Sequence, residues 1–248
     1  MSILENNWNL SQQAQEFFVY TTLGIVPKEI FNTGNYNKMI SDYKCLNNAD
    51  DNYKVYCIYK CARTAYNDLS RTLRYDIKYK SSSKDKDALA HKENTINNIC
   101  AKLTNAIYND GNIAVDTESL FNVFVENGNN NECIADLLHL LTVDDKTNQK
   151  FHFGQVQKWV NMTLKYLYLL GIIHDNSKLH IPIDNYIINA FKQNDIYVPS
   201  KAWSRFDDTD YYNQYKSYME RLDEPYIDWE HKTWIEQAEK EKGIKINS

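Results

Sequence analysis

The sequence predicts an all-α protein, several helices packed as one globular unit. Three observations predict it. Glycine (7) and proline (4) are scarce among 248 residues, too few for a fold rich in tight turns. Apolar residues recur every three or four positions over long stretches, the spacing of one helix face. Polar clusters such as the runs at 81–87 and 127–131 punctuate those stretches as turns.

Taken in order, Ser11 can cap a first helix running to about Leu23, with Ala14, Phe17, Phe18 and Tyr20 as its apolar contacts. Gly24 and Pro27 end it, and a short helix is expected over 36–45. From Asn52 to about Tyr79, the positions Val55, Ile58, Tyr59, Ala62, Ala65, Tyr66, Leu69 and Leu73 form one stripe of a long amphipathic helix. Lys60, Arg63, Arg71, Arg74 and Lys78 lie on its outward face. A partner helix follows the 81–87 turn, with Leu89, Ile96, Ile99, Cys100, Leu103 and Ile107 inward, and stops at Asp110-Gly-Asn. Thr117 begins a short helix, and Ile134 to Leu141 form another. The polar run from Thr142 to Gln149 is the best internal boundary of a single 248-residue unit, dividing it into lobes 1–145 and 146–248 with a cleft between.

The strongest apolar signal is His152 to Gly171, a helix opened by a turn glycine. Asp184 to Phe191 is the next helix, and 207–222 and 228–242 are two more, separated at Pro225. Only 171–183 and 195–199 leave room for short strands. There are no repeats.

Net charge is −5, which by itself argues against a nucleic-acid partner, but the charge is unevenly spread. Residues 51–80 hold seven Lys/Arg against three Asp, and 150–192 hold five Lys against two Asp, whereas 207–242 hold eleven acids against five bases. An acidic C-terminal region therefore masks two basic ones. Tyr and Trp together (24) far outnumber Phe (9), which favours half-buried rings and stacking surfaces. The five cysteines form no CxxC pair and read as reduced, mostly buried thiols. The N-terminus has no signal-peptide pattern, and the segment Tyr166 to Ile173 is too short to span a bilayer. A cytoplasmic monomer that does not engage membranes is expected.

One constellation carries chemistry: Gly154-x-x-x-Lys158 at the start of the apolar helix, then Pro182-x-Asp184 at the start of the next. This order resembles the core of the helix-hairpin-helix DNA glycosylases. In that family a glycine hairpin leads into a helix that begins with a lysine in lyase-competent members. A loop then delivers a catalytic aspartate to the N-terminus of the following helix. The resemblance spans about forty residues and implies Asp184 as the essential carboxylate and Lys158 as the lyase nucleophile. The family's second hairpin glycine is Val156 here, and its usual Thr-Ala after the lysine is Trp159-Val160.

The residues fit that chemistry. Cleaving an N-glycosidic bond builds positive charge on the sugar, and a carboxylate near C1′ stabilises it. A lysine desolvated beside aromatic rings can lose its proton and attack C1′. The partner is then double-stranded DNA with a flipped, damaged or modified base, held by Phe153, Gln155, Trp159, Trp203 and His152. Backbone contacts fall to Gly154, Lys150, Lys165, Lys178, Arg63, Arg71 and Arg74. Each residue also has a plain structural role: Asp184 as a helix cap, Lys158 as a solvent-facing lysine, the two tryptophans as packing, Gln155 and Gln157 as polar groups facing water.

His152, His174 and His180, spaced 22 and 6 apart, match no compact ligand pattern, so no metal is expected. No cofactor motif is present either. The Asn/Ile/Lys/Tyr bias suggests an AT-rich microbial or viral genome and is compatible with defence against modified phage DNA. The alternative reading is a non-catalytic helical module that holds a nucleotide-like ligand or a protein in an aromatic groove. Salt-sensitive DNA binding separates the two.

Overall fold

The computed structural model describes residues 52–75, 84–109, 112–113, 116–125, 136–137, 139–141, 151–177, 179–194, 202–206, 210–222 and 224–241, together with 19, 22–25, 196 and 198. Over these residues the protein is all-α. Its bounded helices are α1 (Asn52–Leu69), α2 (Lys86–Ile107), α3 (Thr117–Val125), α4 (Phe153–Leu169), α5 (Asn185–Gln193), α6 (Asp210–Met219) and α7 (Tyr226–Glu241). The expected helix over 36–45 and the boundary at 142–149 lie outside the described residues, as does most of the first helix. Among the described residues no helix is long and apolar enough to cross a membrane.

Helix starts follow local chemistry. Asp85 accepts hydrogen bonds from the Asp87 and Ala88 amides, each at 3.0 Å, and so caps α2. Asp116 does the same for α3 through the Ser119 amide and hydroxyl. At α7 the Pro225 carbonyl accepts from Trp229, and the proline ring starts the helix where its missing N–H costs nothing.

The end of α1 departs from the sequence expectation. The apolar stripe runs on past residue 70, yet the helix stops at Leu69 and tightens into a 3-10 turn, Ser70–Thr72. The Ser70 and Thr72 hydroxyls donate to the Asn67 and Leu69 carbonyls, competing with the helical ladder. Leu73 is extended, and Tyr75 forms a single antiparallel bridge with Leu141 while its hydroxyl meets that of Tyr66. The described residues of 171–183, where the sequence left room for a strand, carry none, and a two-residue antiparallel pair, β1 (Tyr108–Asn109) and β2 (Asn112–Ile113), closes the end of α2.

α4 is the centre of the molecule. Every residue from Phe153 to Asn161 is buried, so this helix has neighbours on all sides. Its most extensive packing is against α1, followed by α3 and the turn Trp203–Arg205. Trp159, fully buried, donates its indole N–H to the Ala62 carbonyl of α1 at 2.9 Å and packs edge-on to Tyr66 and Phe124. One apolar cluster holds residues from both sides of 142–149, among them Tyr66, Leu103, Phe124, Trp159, Ile187 and Tyr215.

Two amides interrupt the apolar surface of α4. Gln157 and Asn161, one turn apart and fully buried, face the extended segment 181–183. Gln157 donates to the Ile183 carbonyl (2.8 Å) and accepts from the Ile183 amide (3.0 Å), and Asn161 donates to the Ile181 carbonyl (2.8 Å). A buried backbone segment outside regular structure needs partners for its polar groups, and these side chains supply them as a neighbouring strand would. The segment is thereby held in register against α4, and the next residue, Asp184, is placed at the head of α5.

Gly154 permits the closest approach in this region. A Cβ there would lie 1.8 Å from the Trp203 carbonyl oxygen, and the Gly154 amide donates to the Phe206 carbonyl at 2.9 Å. Gly154→Ala must push the 203–206 turn off α4, and we expect it to lower stability by about 1–3 kcal/mol, the usual range for overpacking. Thermal melting checks this; an unchanged midpoint would contradict the close approach.

Candidate active site

The two residues singled out by sequence order, 26 positions apart, meet in space. Lys158 lies in the second turn of α4, with Nζ 3.5 Å from Oδ2 of Asp184. Asp184 is the N-cap of α5: its Oδ1 accepts from the amides of Tyr186 (3.0 Å) and Ile187 (3.3 Å). One carboxylate oxygen is therefore fixed by the helix end, and the other is aimed at the amine. Both side chains are largely withdrawn from solvent, at 10% and 14% exposure.

A second carboxylate, which the sequence did not single out, completes the arrangement. Oδ2 of Asp68, in the last turn of α1, lies 3.1 Å from Lys158 Nζ, closer than Asp184 does. Asp68 also pairs with Arg71, whose side chain is 78% exposed. The amine sits 5.1 Å from the centre of the Trp203 ring, within cation–π range. Burial pushes the Lys158 pKa below the ordinary lysine value and outweighs the opposing pull of Asp184; the nearby charge of Arg71 lowers it further, while Glu230 raises it.

Two turns along α4, Lys165 pairs with Glu230 of α7, whose side chain is 1% exposed. Burial raises the Glu230 pKa and Lys165 opposes that rise. A row of paired charges thus crosses α4: Arg71 with Asp68, Lys158 with Asp184, and Lys165 with Glu230. Its three cations and three acids balance.

Several sequence-assigned roles are revised by this geometry. Trp159 is core, with its ring enclosed and its N–H committed to Ala62, so it cannot stack on a base. Phe153 is buried edge-on to Phe121 and Tyr212. Gln155 accepts from the His152 amide at the start of α4 and donates to the Thr72 carbonyl at 3.4 Å; His152 is the residue before the helix, and neither reads as a base contact. The Gly154 amide is spent on Phe206, so it is not open to a phosphate. Lys165 is held by Glu230, and Arg63 by Glu93 at 2.7 Å on the α2 side, so both cations are engaged within the protein. Trp203 stays beside Lys158, and Arg71 and Arg74 are exposed directly after Asp68. Lys150 and Lys178 lie outside the described residues.

Sequence reasoning missed Asp68 and Glu230, because nothing local to either residue marks its partner. It also missed the support lent by Gln157 and Asn161, although two amides one turn apart in so apolar a helix were a readable signal. A cavity beside the 181–183 segment, lined by His180, Ile181, Ile183, Tyr212, Tyr215 and Tyr226 among others, has a volume of about 10 Å³. That is room for one water and not for a nucleobase. Among the described residues no three His, Cys, Asp or Glu side chains converge as metal ligands would. No family model, curated protein or solved structure matches the chain.

His231, next to Glu230, gives a pH test of the α7 contact. Burial, with help from the Lys165 charge, pushes its pKa down to about 4 from an ordinary 6.5. The folded state keeps the ring neutral where the unfolded chain protonates it, so stability present above pH 6.5 is lost as the pH falls towards 4. Urea unfolding of His231→Asn should show a smaller loss between pH 7 and pH 4.5 than the unaltered protein; equal losses would show that the ring is not held neutral.

Proposed function

We propose that the chain is a DNA glycosylase-like enzyme that excises a damaged or modified base, with Asp184 as the carboxylate facing the sugar and Lys158 as the amine that attacks it. The observation that carries this reading is the 3.5 Å approach of a desolvated lysine to a carboxylate fixed at a helix N-terminus. Burial makes the amine easier to deprotonate, and the neutral amine is the nucleophile. The first amides of α5 hold the carboxylate in place.

The steps follow from these groups. As the base leaves with the electron pair of the N-glycosidic bond and takes up a proton, positive charge develops at C1′ and Asp184 stabilises it. Lys158 adds to C1′ and loses a proton. Opening of the sugar ring then gives a protonated imine, from which loss of a C2′ proton expels the 3′-phosphate. Exposed Arg71 and Arg74 are the described cations best placed for backbone phosphates. The backbone amide of Gly154 takes no part.

A second reading, a non-catalytic helical module, is favoured by one observation: the Lys158 contacts also tie α1, α4 and α5 together as a closed charge network. The readings diverge under Asp184→Asn, which can keep the cap through Oδ1. An enzyme should lose base excision by about 10²–10³-fold, the cost of one preorganised charge-stabilising group. A scaffold should show no excision at all, with or without the substitution. Borohydride trapping on DNA carrying an abasic site should give a covalent complex that Lys158→Gln does not form; equal trapping by that variant, or none by the unaltered protein, would refute the assignment.

A further inference from the structure

We infer that Asp68 is a positioning residue for the Lys158 amine: it sets where the amine sits and which protonation state it holds, and so leaves Asp184 available to the substrate. This rests on the reading of Lys158 as a nucleophile. The geometry divides the two acids. Asp184 cannot move without uncapping α5, since its Oδ1 is bound by two helix amides. Asp68 has no such duty in the hydrogen bonds it makes here: its Oδ2 lies 3.1 Å from Lys158 and its Oδ1 is engaged by Arg71. With Asp184 alone, the amine would have a single partner at 3.5 Å. With Asp68 it is suspended between two elements that are far apart in sequence.

The charges around Lys158 come from every side. Asp68 and Arg71 face it from α1 and the turn that follows, Asp184 from the head of α5 and Glu230 from α7. The Trp203 ring lies beside it, and Lys165 of its own helix is occupied by Glu230. Asp68 is the nearest of these acids to the amine, and Arg71 shares its carboxylate.

The test is a ¹³C NMR titration of the full chain labelled at lysine, following the Lys158 Cε resonance, identified by its loss in Lys158→Arg. Asp68→Asn removes the nearest negative charge, so the midpoint should fall by about one pH unit, and Asp68→Glu should restore it. Should Asp68→Asn fail to fold, Asp68→Ser carries the test, and its midpoint should fall likewise. A midpoint unmoved by the substitution overturns the proposal. The titration needs no DNA: absence of base excision would remove the glycosylase reading without moving the midpoint, and a flat titration would remove Asp68 while leaving that reading standing.

Discussion

A lysine ammonium withdrawn from water between two aspartates is the constraint on which the rest of the structure turns. A buried charge is costly unless it is paired, and removing one partner of such a group commonly costs about 3–5 kcal/mol. Lys158 therefore obliges α1, α4 and α5 to bring Asp68, the amine and Asp184 to within 3.1 and 3.5 Å. Much of the surrounding architecture can be understood as what makes that meeting possible.

The supporting parts are ordinary. Gly154 lets the 203–206 turn lie directly on α4, which puts the Trp203 ring beside the amine. Gln157 and Asn161 hold the backbone of 181–183 as a sheet neighbour would, at about 0.5–1.5 kcal/mol for each hydrogen bond. That register delivers Asp184 to the start of α5 with one oxygen on the helix amides and the other towards Lys158. Trp159, next to the lysine in sequence, fastens the same turn of α4 to α1 through the Ala62 carbonyl. The site is thus built on regular helices and a pinned segment, which suits a group that must be held still.

Features governed by near neighbours in the chain were legible in the sequence. The scarcity of turn residues and the apolar spacing marked an all-α protein, Asp184 marked a helix start because capping is a matter of a few residues, and Pro225 marked the break between the last two helices. The end of α1 was not legible: its apolar stripe continues, and only the folded chain shows the Ser70 and Thr72 hydroxyls taking helical carbonyls. The roles of the aromatic residues were misjudged for a similar reason. Whether Trp159 stacks on a ligand or fills the core is decided by α1 and α3, more than thirty residues away. The Lys158–Asp184 pairing was legible as an order of motifs, whereas Asp68, 90 positions before Lys158, carried no mark of its destination.

The central claim concerns which nitrogen does the chemistry, and peptide mapping answers it most directly. The protein is incubated with DNA containing an abasic site, reduced with borohydride, digested with nuclease and protease, and analysed by mass spectrometry. The account predicts that the sugar remnant is found on Lys158. A remnant on another lysine or on the terminal amine, with Lys158 unmodified, would contradict it.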